Sequence, residues 1–188
     1  AQFDYNAIIR QAIREIGYVN KDDVFHADHV FVNNYITAQS PDIAQGVDAK
    51  KARGKRTAEQ GAGDQGLMFG YACDETPELM PAPILLAHKI GKRLAEVRKA
   101  EILPYLRPDG KTQVTVRYEV DDHGHQKPVE IERVLISTQQ RDGLDAETLI
   151  KPDLVDHVLR PILPHDLFDE HLFEDRDFLY VNPTVDFV

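Results

Sequence analysis

The 188-residue sequence holds one cysteine, Cys73, two methionines and no tryptophan. A single thiol excludes an internal disulfide framework and a zinc site built from cysteines. Cationic side chains are the minority, 22 Lys plus Arg against 32 Asp plus Glu, for a formal net charge of −10. That balance argues against a nucleic-acid binder working through overall charge. No uninterrupted apolar stretch approaches the roughly 20 residues of a membrane-crossing helix. The opening Ala1-Gln2-Phe3-Asp4-Tyr5 has neither the basic nor the apolar region of a signal peptide. What is present, 42% apolar and 29% charged residues, suits a globular chain and is too apolar for a disordered one. The expectation is a cytoplasmic globular protein with neither a membrane nor a nucleic acid as partner. Because the chain does not begin with Met, it is either processed or a piece of something longer.

Ile9, Ile13 and Ile16 stand at i, i+4 and i+7 among Arg10, Arg14 and Glu15, which predicts an amphipathic helix over about residues 4–16, ended by Gly17. Val30-Phe31-Val32 and Tyr35-Ile36 read as a strand, and Leu67 to Ala72 as a short buried strand. Between them, Thr37 to Gly66 is rich in glycine and has no apolar periodicity, as in a lid, a binding loop or a disordered insert. Pro81 and Pro83 open a helix with the stripe Leu86, Ile90, Leu94 and Val97, closing near Leu103-Pro104. Val114, Val116, Tyr118 and Val120 alternate with polar residues and predict a strand. The turn at 121–124 makes a hairpin with a second strand, about Val129–Gln139. A helix around Pro152–Leu159 and a strand at Phe178–Val181 complete an α+β layout, a mixed sheet with helices on one face.

Several clusters invite chemistry. Gly61-Ala62-Gly63-Asp64-Gln65-Gly66 allows positive φ and an anion-binding concavity of N–H groups, and is equally compatible with a flexible hinge. It is neither a Walker A loop nor a dinucleotide fingerprint. Gln39 and Gln45 flank Ser40-Pro41-Asp42 and can donate and accept at once, as a zwitterion requires, although a plain turn explains the same residues. Lys50, Lys51, Arg53, Lys55 and Arg56 form a basic tract that reads first as a solvated loop tip and second as an attractor of phosphates. Pro108-Asp109-Gly110 is turn chemistry, with Lys111 either a solvent-exposed cation or a phosphate contact. His123 and His125 read as a hairpin tip rather than a metal pair, His88 as a helix-surface residue and Cys73 as an inert core thiol.

Taken together and in order, these segments resemble a known family. Gly61 to Ala72 is similar to the first signature of S-adenosylmethionine synthases. Gln39-Ser40-Pro41-Asp42-Ile43, Glu75 to Pro81, Arg107 to Lys111 and Asn182-Pro183-Thr184 accompany it. The resemblance implies α+β repeats around a pseudo-threefold axis, with 1–60 the end of an N-terminal domain including a lid loop and 61–188 the central domain. It implies methionine adenosyltransferase chemistry on ATP and L-methionine, with Mg²⁺ and K⁺, in a homodimer or dimer of dimers with active sites between subunits.

By the same resemblance Gln39 contacts methionine, the loop from Gln39 to about Gln60 is the lid, and Asp64 belongs to the active-site wall. Asp109, Gly110 and Lys111 match an ATP-contacting turn, and Phe187 an adenine-stacking ring. No catalytic side chain and no metal ligand is assigned within the chain. Three features depart from the family pattern, one of them a lid lengthened by the basic Lys50–Arg56 stretch. Val185-Asp186 replaces Gly-Arg before Phe187. The His-Pro-Asp segment and the Gly-rich signature with its lysines, which bring the phosphate and metal groups, are not among the 188 residues. The expectation is therefore a partial chain, inactive alone. The alternative is a non-catalytic nucleotide-binding or dimer-interface module derived from the family.

Overall fold

A computed structural model describes residues 3–47, 62–184 and 187–188. The chain divides into two compact units, residues 1–30 together with 72–188, and residues 31–71.

In the larger unit, helix α1 spans Tyr5–Ile16. Asp4 caps it by accepting from the Ala7 N–H, and Gly17, at φ 121°, closes it with its own N–H on the Ile13 carbonyl. Arg10 donates to the carbonyls of Ala27 (2.6 Å) and Val30 (2.9 Å), folding residues 27–30 back over the helix. Helix α3, Ala82–Lys99, starts on Pro81 and Pro83 and buries Leu86, Ile90, Leu94 and Val97 as the periodicity predicts. It stops at Lys99, earlier than expected, because residues 100–103 turn back and the Ile102 and Leu103 N–H groups both reach the Val97 carbonyl.

Strands β1 (Leu106–Val120) and β2 (Gln126–Gln140) form the antiparallel hairpin, and β3 (Leu179–Val181) adds in parallel on the far side of β2. Asp121 organises the hairpin tip by accepting from the N–H groups of His123 and His125 and pairing with the His125 ring at 3.0 Å. β2, the central strand, turns Val134, Ile136, Thr138 and Gln140 to one buried face. A bulge, where Thr115 opposes Arg133 and Val116 opposes Ile131, resets the alternation so that Ile131 is buried on it too.

That face is covered by α3 and by a helical stretch from Ala146 to Leu159. The stretch is made of two π-helical turns, Ala146–Ile150 and Val155–Leu159, around the short helix α4, Lys151–Leu154. Asp145 caps its start through the N–H and hydroxyl of Thr148, so the helix begins earlier than Pro152. Phe168, Phe173 and Phe178 pack as an aromatic cluster within this core, with ring centroids 4.7 to 5.8 Å apart, Phe168 stacked on Phe178 and Phe173 edge-on to Phe178. The architecture is α+β, a mixed sheet with its helices on one face.

The smaller unit contains α2, Pro41–Val47. The two strands expected at 30–36 and 67–72 are corrected by the structure: these residues carry no strand pairing. Phe31, Tyr35, Leu67, Met68 and Phe69 are each more than 80% exposed, and Ile36 and Tyr71 about three-quarters exposed. An apolar run becomes a strand only with a neighbouring edge to bond to, and none lies beside these runs among the described residues. The lid expected from Gln39 to about Gln60 contains α2 in its first part. The basic tract 50–56 and Gly61 lie outside the described residues, as do Val185 and Asp186.

Candidate functional site

The Asp109-Gly110-Lys111 stretch lies inside β1, not in a turn before it. β1 pairs with β2 alone among the described strands and its other side is an edge, where proline is tolerated. The ladder runs from Leu106 opposite Gln140 straight to Gly110 opposite Thr138, so the turn-forming Pro108-Asp109 is absorbed as a bulge. Asp109 and Lys111 are exposed, and their side chains make no hydrogen bond or ion pair among the described residues. A Cβ at Gly110 would stand 3.6 Å from the Ser137 carbonyl and 3.8 Å from Leu94 Cδ1. Thr112 follows and donates its hydroxyl to the Ala87 carbonyl at 2.8 Å, pinning this end of β1 to α3.

On the opposite side of β2 the chain returns through Asn182. Its N–H bonds the Ile136 carbonyl (3.0 Å), its side-chain oxygen accepts from the Thr138 N–H (2.8 Å), and its amide nitrogen donates to the Thr138 carbonyl (3.1 Å) and to Gln140 Oε1 (2.8 Å). The Asn182 side chain thus continues the β3 ladder, and its φ of 45° is one that asparagine tolerates. This pairs the backbone of buried Thr138 and the side-chain oxygen of buried Gln140, while the Thr138 hydroxyl donates to the Gln139 carbonyl at 3.4 Å. The Gln140 N–H then bonds the Phe187 carbonyl at 2.8 Å. Phe187 and the 106–111 stretch therefore flank the same end of β2.

Gln39 and Asp64 belong to the unit 31–71. Gln39 is exposed just before α2, and Asp64 is exposed with its carboxylate accepting from the Gln65 N–H at 2.7 Å.

Four polar arrangements within the larger unit carry no clear signal in the sequence. Glu75 accepts from the first N–H of α3, at Ala82 (2.9 Å), and from the Tyr118 hydroxyl (2.5 Å). Burial would raise its carboxyl pKa, but these bonds and one from Cys73 outweigh it and hold the group below its ordinary value. Cys73 is accordingly half-buried in a polar setting rather than a core thiol. Tyr105 donates to Asp153 at 2.6 Å; burial first, then that carboxylate, push its phenol well above the ordinary range. Arg107 holds Asp22 with one nitrogen on both oxygens (2.7 and 3.0 Å) and lies 3.6 Å from Asp23. Arg98 donates to the Ile16 carbonyl at 2.8 Å, capping the end of α1. The available signals were faint: Glu75 precedes a Pro-opened helix by seven residues, and Arg107 immediately precedes a proline.

Two surface hollows lie away from these residues. One, of about 770 Å³, opens between Arg117, Glu130 and residues 165–172. The other, of about 510 Å³, lies beside Lys151, Arg176 and β3. Neither is lined by Asp109, Lys111 or Phe187, and a hollow's shape alone does not outweigh the chemistry at β1. Among the described residues no three His, Cys, Asp or Glu side chains converge to hold a metal ion. The residues described here do not fit a metal centre.

The fold and this site define a class: an α+β domain whose mixed three-stranded sheet carries helices on one face and an exposed acid–glycine–lysine stretch on its edge strand. A family model described as S-adenosylmethionine synthetase, central domain, matches residues 59–187. The chain is 52% identical over 190 residues to an S-adenosylmethionine synthase of Akkermansia muciniphila, covering 100% of this chain and 45% of that protein. Synthases of Mycobacterium ulcerans and Bifidobacterium adolescentis are 50% and 46% identical, over 98% of this chain and 46% of each relative. The chain belongs to the S-adenosylmethionine synthase family. It spans about half the length of the curated relatives it matches. No helix among the described residues is long and apolar enough to cross a membrane.

Proposed function

We propose that the protein carrying this chain is a methionine adenosyltransferase of the cytoplasm, forming S-adenosylmethionine, phosphate and diphosphate from ATP, L-methionine and water. The methionine sulfur attacks C5′ of ATP, the C5′–O bond breaks, and the triphosphate leaves with the electron pair before water cleaves it. A neutral thioether is already a good nucleophile, so the reaction needs alignment and charge stabilisation more than a base.

Within this reading residues 61–188 form the central domain and 1–60 the end of the preceding one. Gln39 contacts methionine and Asp64 forms part of the active-site wall. Asp109, Gly110 and Lys111 contact ATP, and the Phe187 ring stacks on adenine. Lys111 supplies an ammonium to the phosphate chain. Mg²⁺ and K⁺ are the cofactors implied by the family; none of the described residues would hold them, and when bound elsewhere in the protein they would supply positive charge for the triphosphate. The assembly is a homodimer or a dimer of dimers.

The observation that carries the reading is the exposed Asp109 and Lys111, whose side chains make no hydrogen bond or ion pair among the described residues, at the same end of β2 as Phe187 in a chain of this family. Val185-Asp186 favours a second reading, a non-catalytic nucleotide-contacting module, because an acid beside a bound nucleotide repels phosphate.

The test is mass-spectrometric detection of S-adenosylmethionine after incubation with ATP, methionine, Mg²⁺ and K⁺. The protein as its gene encodes it, the 188-residue chain alone and Lys111→Ala are compared. We expect product from the first, none from the second, and a loss of about tenfold or more in kcat/KM for ATP on removing one charge-assisted contact. No product from the gene-encoded protein, with nucleotide still bound, selects the module reading.

A further inference from the structure

We propose that Arg107 is a positioning residue for the nucleotide-contacting stretch of β1, holding through Asp22 and Asp23 a segment that the sheet ladder leaves free. The inference rests on the reading above that Asp109, Gly110 and Lys111 contact ATP. Between Leu106 and Gly110 the register advances four residues on β1 for two on β2, so Arg107, Pro108 and Asp109 have no cross-strand partner. Pro108 has no N–H to give, and the other side of β1 is an edge within the described sheet. Backbone bonding therefore does little to fix the three residues leading into Gly110 and Lys111.

The Arg107 side chain supplies the missing restraint. It is 10% exposed, and its guanidinium reaches Asp22 at 2.7 Å and Asp23 at 3.6 Å. The Asp23 side chain is 3% exposed, and it also accepts from the N–H (2.9 Å) and side-chain amide (3.1 Å) of Asn20. The Asp23 N–H returns to the Asn20 carbonyl at 3.1 Å, so residues 20–23 form a closed turn bonded within itself.

That turn is itself anchored. Arg98 on α3 donates to the Ile16 carbonyl, and a Cβ on Gly17 would come within 2.3 Å of the same guanidinium. Residues 16–23 are thus tied to α3 at one end and to β1 at the other. A surface ion pair contributes little, but a pair with one carboxylate this buried is costly to break, because a charge is left without its counter-ion. The planar guanidinium can serve two carboxylates at once; a lysine ammonium holds such an array less rigidly. A fixed β1 segment presents Asp109 and Lys111 in one geometry and spares the nucleotide the cost of ordering them.

The test uses the protein as its gene encodes it, with ATP as the probe in the absence of methionine. Calorimetric affinity and amide hydrogen exchange across 105–112 are measured for wild type, Lys111→Ala, Arg107→Gln, Arg107→Lys and Asp22→Asn. We expect Arg107→Gln to weaken ATP about tenfold by loss of preorganisation, with faster exchange at 107–111 and unchanged protection at 131–136. Arg107→Lys should recover part of both effects, and KM for ATP should rise while KM for methionine stays. Should Arg107→Gln fail to fold, Asp22→Asn decides: it removes the exposed partner and should show the same effects in weaker form. Wild-type ATP affinity and exchange in the folded Arg107 and Asp22 variants, with Lys111→Ala weakened, overturns the positioning role and leaves the site intact. Wild-type affinity in Lys111→Ala overturns the site reading beneath it.

Discussion

Residues 72–188 and 31–71 both carry large apolar side chains, at a lower density in 31–71, yet their described residues bury them very differently. In the first, Ile90, Ile131, Ile136, Leu154, Leu159 and Phe178 are all but sealed from solvent. In the second, no residue of described burial is buried, and Leu67, Met68 and Phe69 each stand more than 80% exposed. Composition alone does not account for the difference, because Leu67-Met68-Phe69 is as apolar as any segment of the core and stays exposed. In the first region apolar residues recur at the period of a helix or a strand, and each element finds a complementary face; in the second the runs have neither a sustained period nor an edge to bond to. Burial follows from pattern and partner together. The residues given to methionine and to the active-site wall, Gln39 and Asp64, lie in the sparsely packed region, where loops commonly carry function.

The comparison breaks most decisively at Phe178. Its ring is 1% exposed and packs against Phe168 and Phe173. Phe178→Ala should destabilise the 188-residue chain by about 3–5 kcal/mol in urea denaturation, through lost transfer energy and the cavity left behind. A cost below about 1 kcal/mol, typical of a surface position, would mean that this core is not the one that holds the fold.

Asn182 sharpens the same contrast with polar groups. Asn182→Ala removes the partners of both the Thr138 N–H and carbonyl and of the Gln140 side chain, all on the central strand. A loss of about 2 kcal/mol or more is expected, since buried groups left unpaired are penalised beyond the bond itself. Asn182→Asp should recover only the acceptor half. Equal stability of all three forms would show that water replaces the amide and that the strand does not depend on it.

These two positions also show what the sequence could and could not reveal. The α3 stripe and the β1–β2 hairpin were legible because period and burial coincide: Leu86, Ile90, Leu94 and Val97 are spaced for one helix face and all meet the sheet. The length of β1 was not, because Pro108-Asp109-Gly110 has turn chemistry and only the pairing of Gly110 with Thr138 reveals that it is absorbed as a bulge. The strands expected at 30–36 and 67–72 failed for the complementary reason, since β-propensity does not supply a neighbour. For Asp109, Gly110 and Phe187 an ATP contact follows from family resemblance alone, and for Lys111 the residue pattern leaves a phosphate contact and a solvent-exposed cation both open. The Arg107 clamp on Asp22 and Asp23, 84 to 85 positions away, leaves no local trace at all.

Glu75 tests the border between the two regions through pH. Its folded carboxyl titrates below the ordinary value of 4.5, burial being outweighed by the bonds from Tyr118, Ala82 and Cys73. A group whose folded pKa is depressed contributes stability that is fully present above the unfolded value and is lost as pH falls through the folded one. Stability should therefore decline on acidification below the ordinary carboxyl range, and Glu75→Gln should flatten that decline. At neutral pH the Gln variant should cost about 1 kcal/mol, because a neutral amide still accepts from the Ala82 N–H but more weakly than a carboxylate. An unchanged acid limb in the variant would assign the titration to other carboxylates.

The smallest effect belongs to the exposed run. Phe69 is 89% exposed and contributes no ring contact among the described residues, so Phe69→Ser has almost nothing to remove from the folded chain. A change within about 0.5 kcal/mol is expected in urea denaturation of the 188 residues. A loss near that of Phe178→Ala would show that residues 67–71 pack in solution, and the contrast between the two regions would collapse. In the gene-encoded protein the expectation differs, because the proposed function places Asp64, five residues before Phe69, in an active-site wall. There, a serine that is silent in the short chain and harmful in the long one would locate the missing partner of these side chains in the remainder of the assembly.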